Sequence, residues 1–537
     1  MRLNILIGGK AGQGINKVSK IVSNVLASYG YFTFNYRDYQ SLIRGGHNFN
    51  VLSISDKQIE SHETKMNILV ALDERTIKTH KQSLKKDAIT ITGEQFKDEG
   101  RNLNVALAGT LIKILGIPLK ELEDEIKSQF EESDKAIVAA KKGFDSEKDK
   151  FKLKKLKNKT TILSGSEAIA IGAINSNLDL YIAYPMTPAT GAMHELAARQ
   201  SFKEADKKTS QNKRNEVSPT KGGEAGKSQE QNNLLVFQAE NEIAVANMAL
   251  GASFAGKKTM IGTSGGGFDL MGETLSLQGI SEIPLTVYLA SRPGPGTGVP
   301  TYTAQADLDI ALRAGHGEFP RFVIAPGTPT ETIEKTNEAL YLAEKFRTLS
   351  VILADKHLAE SEFSSTEAPT EALKIKIDRE IPGETIVKAS SYEIDDNGNS
   401  TESGELAEQN ADAREKKYEE AKDFIRKNME MIKIHGKEDS KNLIVGWGST
   451  SGAIKDAIKN LDAKFLQIIY MKPLSNEIRE HLEAAENVVL VEGNQTGQLG
   501  RLLREKTGIK IGNRLLKYNG RPFHSDELKT YLSEIIQ

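Results

Sequence analysis

Short runs of apolar and β-branched residues alternate with longer stretches of helical spacing in three regions, the pattern of α/β layers with largely parallel sheets. In the first region, 1–155, LNILIGG, YFTFNY, NFNVLSI and NILVAL read as strands. INKVSKIVSNVLASYG reads as an amphipathic helix stopping at Gly30. The second, 160–375, offers LDLYIAY, NLLVFQ, KKTMIGTS, IPLTVYLA, PRFVIAP and LSVILAD as successive strands. The third, 441–537, opens with NLIVGWGSTSGAIKDAIKNL, a strand, glycine-rich turn and helix, and adds strands at KFLQIIYM and NVVLVEG. Three α/β domains are expected, since 537 residues are too many for one core.

Between these regions the pattern turns polar. KKGFDSEKDKFKLKKLKN has the look of a solvated linker, and 376–440 reads as a charged connector holding one exposed helix at AREKKYEEAKDFIRKNMEMI. Residues 201–233 are almost without large apolar side chains. They are expected to form a mobile surface insertion, because they bury too little to offset their ordering entropy.

Composition narrows the chemistry. Lys+Arg number 71 against 73 Asp+Glu, a net charge of -2, so no basic field points to nucleic acid. The chain has no cysteine, which excludes disulfides, thiolate zinc sites, cysteine nucleophiles and a cysteine-ligated iron–sulfur cluster within it. No apolar run approaches the roughly 18 residues of a membrane span, and the N-terminus lacks a signal-peptide core. The expectation is a cytoplasmic protein with no membrane partner.

Candidate chemistry lies at strand-to-helix turns. IGGKAGQGI places Gly9, Gly12 and Gly14 where helix-start amides suit a phosphate or another anion. It departs from the dinucleotide pattern at Lys17 and from the Walker pattern after Gly14, so a merely tight turn remains an alternative. Arg44 in RGGH could reach a phosphate or a partner carboxylate, or simply mark a surface turn. In the second region, AYPMTPAT confines Met186 and Thr187 between Pro185 and Pro188. QAENEIAVANMALGASFAG starts a small-residue helix at Glu242, which could equally be a partner of the helix dipole. TSGGGFDLM and LASRPGPGTGVPTYTAQADL carry Ser264 and Arg292. Ligands in open α/β sheets sit at such strand-end loops, so Thr187, Glu242, Ser264 and Arg292 are expected to converge on one edge.

Taken in order, GGKAGQG, RGGH, YPMTP, QAENEIA, TSGGGFDLM, RPGPGTGVPT, GWGSTSGAIKDA and VEGNQTGQL resemble the 2-oxoacid:ferredoxin oxidoreductases. The likeness is to the alpha subunit with a gamma domain fused at its N-terminus, and it spans nearly the whole chain. It implies a gamma domain, a thiamine diphosphate pyrimidine-binding domain and a transketolase C-terminal-like domain. It also implies that Glu242 bonds the cofactor's aminopyrimidine, with Tyr184, Pro185, Ser264, Gly265 and Gly267 around the cofactor. Thr187 and Arg292 would hold the carboxylate and oxo group of the substrate, and Gly9, Gly12, Gly14 and Arg44 become possible contacts for an anion or coenzyme A (CoA). Mg²⁺ and a [4Fe–4S] cluster are expected on a separate beta subunit, because this chain lacks both signatures. An (alpha-beta)2 heterotetramer using ferredoxin as electron acceptor is implied, inactive without the beta subunit, with 2-oxoglutarate favoured as substrate. Gly266 stands where the family usually has proline, and 201–233 lengthens the usual connection.

Two other readings remain. A thiamine-dependent carboligase or transketolase-like enzyme would need neither ferredoxin nor a cluster-bearing partner. A non-enzymatic nucleotide- or CoA-binding regulator would use the first glycine loop alone, leaving Thr187, Glu242 and Arg292 without a purpose.

Overall fold

In a computed structural model, which describes residues 1–41, 46–130, 133–200 and 234–536, the strands form three sheets flanked by helices. Arg44 and the 201–233 insertion lie outside the described residues.

The second sheet positions the site. Its order is Tyr470–Lys472, Arg321–Ile324, Leu349–Asp355, Leu285–Ser291, Thr259–Thr263, Leu180–Ala183 and Leu235–Gln238. All neighbours run parallel except Tyr470–Lys472, which lies antiparallel to Arg321–Ile324. Parallel strands need helical crossovers on the sheet faces, and the central strands Leu285–Ser291 and Leu349–Asp355 are accordingly buried along their whole length.

The first sheet departs from the parallel expectation. Phe32–Asp38 and Arg2–Lys10 both pair antiparallel with His47–Ser55, whereas Met66–Ala71 pairs parallel with Arg2–Lys10. The connection from Asp38 to His47 is too short for a crossover helix, which forces the reversal. Two strands from beyond residue 160, Thr161–Ser164 and Glu362–Ser365, complete this sheet at its edge, so the first two regions share backbone ladders.

The charged connector also differs from its expected form. Its helix, Gly404–Asn428, is not exposed all round: Tyr418, Ala421 and Ile425 form a buried stripe, and Phe424 stacks on Tyr341. Past it, Ile432–Gly436 pairs with Lys464–Ile468 as the edge of the third sheet. The stretch expected as a solvated linker is docked too. Its Phe151, Leu153 and Leu156 amides donate to the carbonyls of Ile114, Leu115 and Tyr29, groups that a helix end leaves without internal partners.

The third sheet, order Ile432–Gly436, Lys464–Ile468, Asn442–Trp447, Asn487–Glu492 and Asn513–Leu516, packs against both others. Ser61 and Thr64 of the first region bond to Asp456 and Asp526 of the third, and Lys455 pairs with Glu60. Three histidines, one from each region, meet in this seam: His62 packs edge-on against His524, with ring centres 4.8 Å apart, and His357 joins them through Phe34 and Tyr36.

Candidate functional site

Four expected residues stand at the carboxyl ends of parallel strands of the second sheet. Thr187 follows Leu180–Ala183, Glu242 opens the helix Glu242–Phe254 after Leu235–Gln238, Ser264 follows Thr259–Thr263, and Arg292 follows Leu285–Ser291. Because these strands run the same way, their ends lie on one edge.

Arg292 ties two of these loops together. Its Nη1 donates to the Thr187 carbonyl oxygen at 2.9 Å, so the confined turn is held through its main chain. Thr187 is half-buried, Pro185 likewise, and Tyr184 stands exposed at the lip. Burial makes the Arg292 guanidinium easier to deprotonate than usual, opposed by the charges of Asp307 and Glu242, which places all three in one electrostatic environment.

Glu242 is only 4% exposed, and its Oε1 has no hydrogen-bond partner among the described residues. Asn241, not Glu242, caps the helix, accepting from the Ala244 amide at 2.8 Å. An acid serving only the helix dipole would sit in solvent; this one is buried with an open acceptor, which suits a group that brings its own N–H donor. Gly267 is required beside it. A β-carbon there would overlap Thr263 Oγ1 and lie 2.6 Å from Glu242 Cγ. Among the described residues, Ser264 Oγ is also buried without a partner, and nothing lies within 4 Å of the β position of Gly266.

Sequence reasoning missed Asp307. Its carboxyl lies where a β-carbon of residue 265 would be, 2.6 Å from Oδ2, so Gly265 makes room for an acid of the same chain. Burial raises the Asp307 carboxyl, against the pull of the Ser291 hydroxyl and the Arg292 charge. It stands at the start of the helix Leu308–Arg313, and an acid at a helix start reads from sequence as a cap.

The third region reaches this loop. The Gln305 amide donates to the Gly493 carbonyl at 2.8 Å, its Nε2 donates to the Trp447 carbonyl at 2.7 Å, and its Oε1 accepts from the Gly493 amide at 2.7 Å. GWGST and VEGNQTG thus grip the segment between Arg292 and Asp307. Beneath them Glu492 accepts from Trp447 Nε1, Asn494 Nδ2 and the Leu499 amide, and burial pushes its carboxyl up to about 7.

The first glycine loop opens on a different space. A cavity of about 630 Å³ lies between the first and second sheets, with Gly12, Gly14, Arg37 and Asn50 on one side and Ser166, Gly191 and His194 on the other. Gly12 and Gly14 have φ of 89° and 85°, a left-handed conformation that side chains resist, and Gly14 leads directly into the helix Ile15–Ser28. Gly9 lies within the strand, packed against Leu72 and Gln13, outside the lining. The helix Thr190–Ala197, which carries Gly191 and His194, begins just past Thr187, so one short segment borders both spaces.

Comparison with known proteins follows the same division. A family model described as "Pyruvate flavodoxin/ferredoxin oxidoreductase, thiamine diP-bdg" matches residues 171–433, and one described as "Pyruvate ferredoxin/flavodoxin oxidoreductase" matches 4–101. The 2-oxoacid:ferredoxin oxidoreductase subunit alpha of Saccharolobus solfataricus is 31% identical over 641 residues, covering 100% of this chain and 98% of the relative. The protein of the same name from a Sulfolobus sp is 30% identical over 635 residues, covering 100% and 97%. A structure of 2-oxoglutarate:ferredoxin oxidoreductase from Magnetococcus marinus, with 2-oxoglutarate, coenzyme A and succinyl-CoA bound, superposes with a TM-score of 0.85 over 100% of both chains at 23% identity.

Proposed function

Because the chain belongs to the alpha subunits of the 2-oxoacid:ferredoxin oxidoreductases, we propose that its strand-end edge holds the pyrimidine end of thiamine diphosphate and the head of a 2-oxoacid. The reaction would be CoA-dependent oxidative decarboxylation, giving an acyl-CoA, carbon dioxide and two electrons for ferredoxin. The observation that carries this reading is the buried Glu242, its Oε1 unpartnered among the described residues, beside the Gly267 cradle. When bound, thiamine diphosphate supplies a nucleophilic carbon and a sink for the charge left when carbon dioxide departs.

The residues of this chain divide the work. Glu242 would hold a proton against the cofactor's ring nitrogen, fixing the tautomer that can accept a proton at the neighbouring amine. Arg292, already steadying the Thr187 turn, would direct its remaining donors at the substrate carboxylate, and the Thr187 hydroxyl would face the oxo group. Asp307 would keep Arg292 charged and aimed. Ser264 and Gly265 line the same turn. CoA would enter from the cavity bordered by Gly12 and Gly14, whose helix start suits a phosphate.

Two features support a beta subunit as the missing half of the site. The chain has no cysteine to ligate a cluster. Large apolar side chains also stand exposed nearby in the fold: Phe237 on the strand before Glu242, Ile243 and Met248 on its own helix, and Leu270 on the helix Gly265–Leu270 are each at least 40% exposed. A partner carrying Mg²⁺, the diphosphate site and a [4Fe–4S] cluster would cover them in an (alpha-beta)2 assembly. 2-Oxoglutarate is the substrate we favour within the 2-oxoacids.

The test is co-expression with the presumed beta subunit, followed by CoA-dependent viologen reduction over a panel of 2-oxoacids. 2-Oxoglutarate should give the highest kcat/KM. No reduction with any acid, despite bound cofactor and an intact cluster, would remove the reading.

A further inference from the structure

Between Arg292 and Asp307 the chain forms neither helix nor strand, and Gly296 and Gly298 take left-handed conformations, with φ of 63° and 53°. Glycine-rich backbone has the most conformational freedom to lose, so the pose of this segment has to be imposed from outside.

Tyr302 is where the other two regions take hold of it. The residue is buried, and its hydroxyl donates at 3.4 Å to Oδ1 of Asp38, the last residue of the first-region strand Phe32–Asp38. The guanidinium of Arg521, from the third region, lies 3.6 Å over the same ring, and its Nε is 3.3 Å from Asp38 Oδ2. The neighbouring Thr303 amide donates to the Gly520 carbonyl at 3.1 Å. Gly520 has a φ of 78°, and a β-carbon there would lie 3.2 Å from Tyr302 Cβ, so this close approach needs glycine. From Tyr302 the hold reaches Arg292 in two backbone bonds. The Tyr302 amide donates to the Val299 carbonyl at 3.2 Å, and the Val299 amide donates at 3.1 Å to the carbonyl of Pro293, next to Arg292.

An ion pair exposed on both sides contributes little. Here the carboxylate is buried, with Asp38 only 4% exposed, so losing Arg521 would remove the charge facing it together with the cation on the Tyr302 ring. Tyr36 steadies Asp38 from its own strand, donating to Oδ2 at 3.1 Å, and Lys356 lies within its electrostatic reach. We propose that Asp38 and Arg521 are positioning residues for the substrate: together they seat Tyr302 and so set where Arg292 points. This rests on the reading of Arg292 as the holder of the substrate carboxylate. Glu242 stands on a different element, so loss of the Asp38–Arg521 pair should loosen the substrate and spare the cofactor.

The test compares wild type with Arg521→Gln, each as the full-length chain in its purified assembly. Hydrogen exchange read by mass spectrometry should be about tenfold faster over 293–305 in the variant and unchanged in the peptide carrying Glu242. Viologen reduction should show a KM for the 2-oxoacid about tenfold higher with kcat within about threefold, while exchange of the thiazolium proton is unaltered. Arg521→Lys, which keeps the charge and loses the planar stack, should fall between the two. Should Arg521→Gln fail to fold, Tyr302→Phe replaces it: only the hydroxyl on Asp38 is lost, and KM should rise about threefold with the same exchange pattern. Equal exchange over 293–305, an unchanged KM, or thiazolium exchange lost in step with substrate binding would each overturn the assignment. A wild type that reduces no viologen with any 2-oxoacid would instead sink the proposed reaction, and the exchange comparison would still decide the anchoring.

Discussion

The guanidinium of Arg292 donates to the main-chain carbonyl of Thr187 at 2.9 Å, so a side chain at the end of one strand fixes the backbone at the end of another. The residue proposed to bind the substrate carboxylate also builds the turn that presents the Thr187 hydroxyl. Arg292→Lys should therefore cost more than Thr187→Ala, since lysine keeps the charge and loses the fork. A drop in kcat/KM of about 10- to 100-fold is expected for Thr187→Ala, the scale of one hydrogen bond to a charged or reacting group. Steady-state kinetics should show the larger loss for Arg292→Lys, with thiamine diphosphate affinity within a few-fold of wild type in both.

Glu242→Gln should retain the fold and abolish exchange of the thiazolium proton of bound cofactor, followed by NMR; retained exchange would show that another carboxylate serves. Gly267→Ala places a methyl against Thr263 Oγ1 and Glu242 Cγ. Overpacking of this kind costs about 1–3 kcal/mol. Chemical denaturation should show that loss, and calorimetry should show weaker thiamine diphosphate binding, because the displaced group is Glu242 itself.

Glu492 supplies a pH test of the clamp on Gln305. Its carboxyl titrates at about 7 when folded, above the usual carboxylate value, so the folded state holds a proton that the unfolded chain releases. Its contribution is fully present below about 4.5, declines as pH rises to about 7, and is flat above. The total is up to about 3 kcal/mol. Glu492→Gln should remove this slope, so that the stability difference between variant and wild type changes across pH 5–7 and is constant at pH 7.5–9.

The histidine seam has the opposite sign. Burial holds His62 and His524 below the ordinary value, and His357 down to about 3. Protons bind the unfolded chain first, so stability is complete above about pH 6.5 and is lost as pH falls towards 3. Each histidine held neutral costs up to about 1.4 kcal/mol per pH unit. Glu527, 2.9 Å from His524 Nδ1, moderates one member, while Lys356, Lys517 and Arg2 add to the penalty. A melting temperature that falls between pH 6.5 and 5, and falls less in His357→Gln, is the expected result.

Local patterning was enough to predict the main strands of each region and the strand-end positions of four residues. Thr187, Glu242, Ser264 and Arg292 each follow a β-branched run, and parallel strands leave their ends nowhere else to go. Tertiary structure decided what depended on distant partners. Asp307 resembles a helix cap until Gly265 is seen to admit its carboxyl, and Gln305 has no signal until Trp447 and Gly493 close on it. Glu362–Ser365 joins the first sheet, Tyr470–Lys472 the second, and the charged Ile432–Gly436 the third. Periodicity reports which face of a segment is buried, which is local. Ladder partners and site neighbours are chosen by burial and hydrogen bonding across hundreds of residues, and only the folded chain brings those into contact.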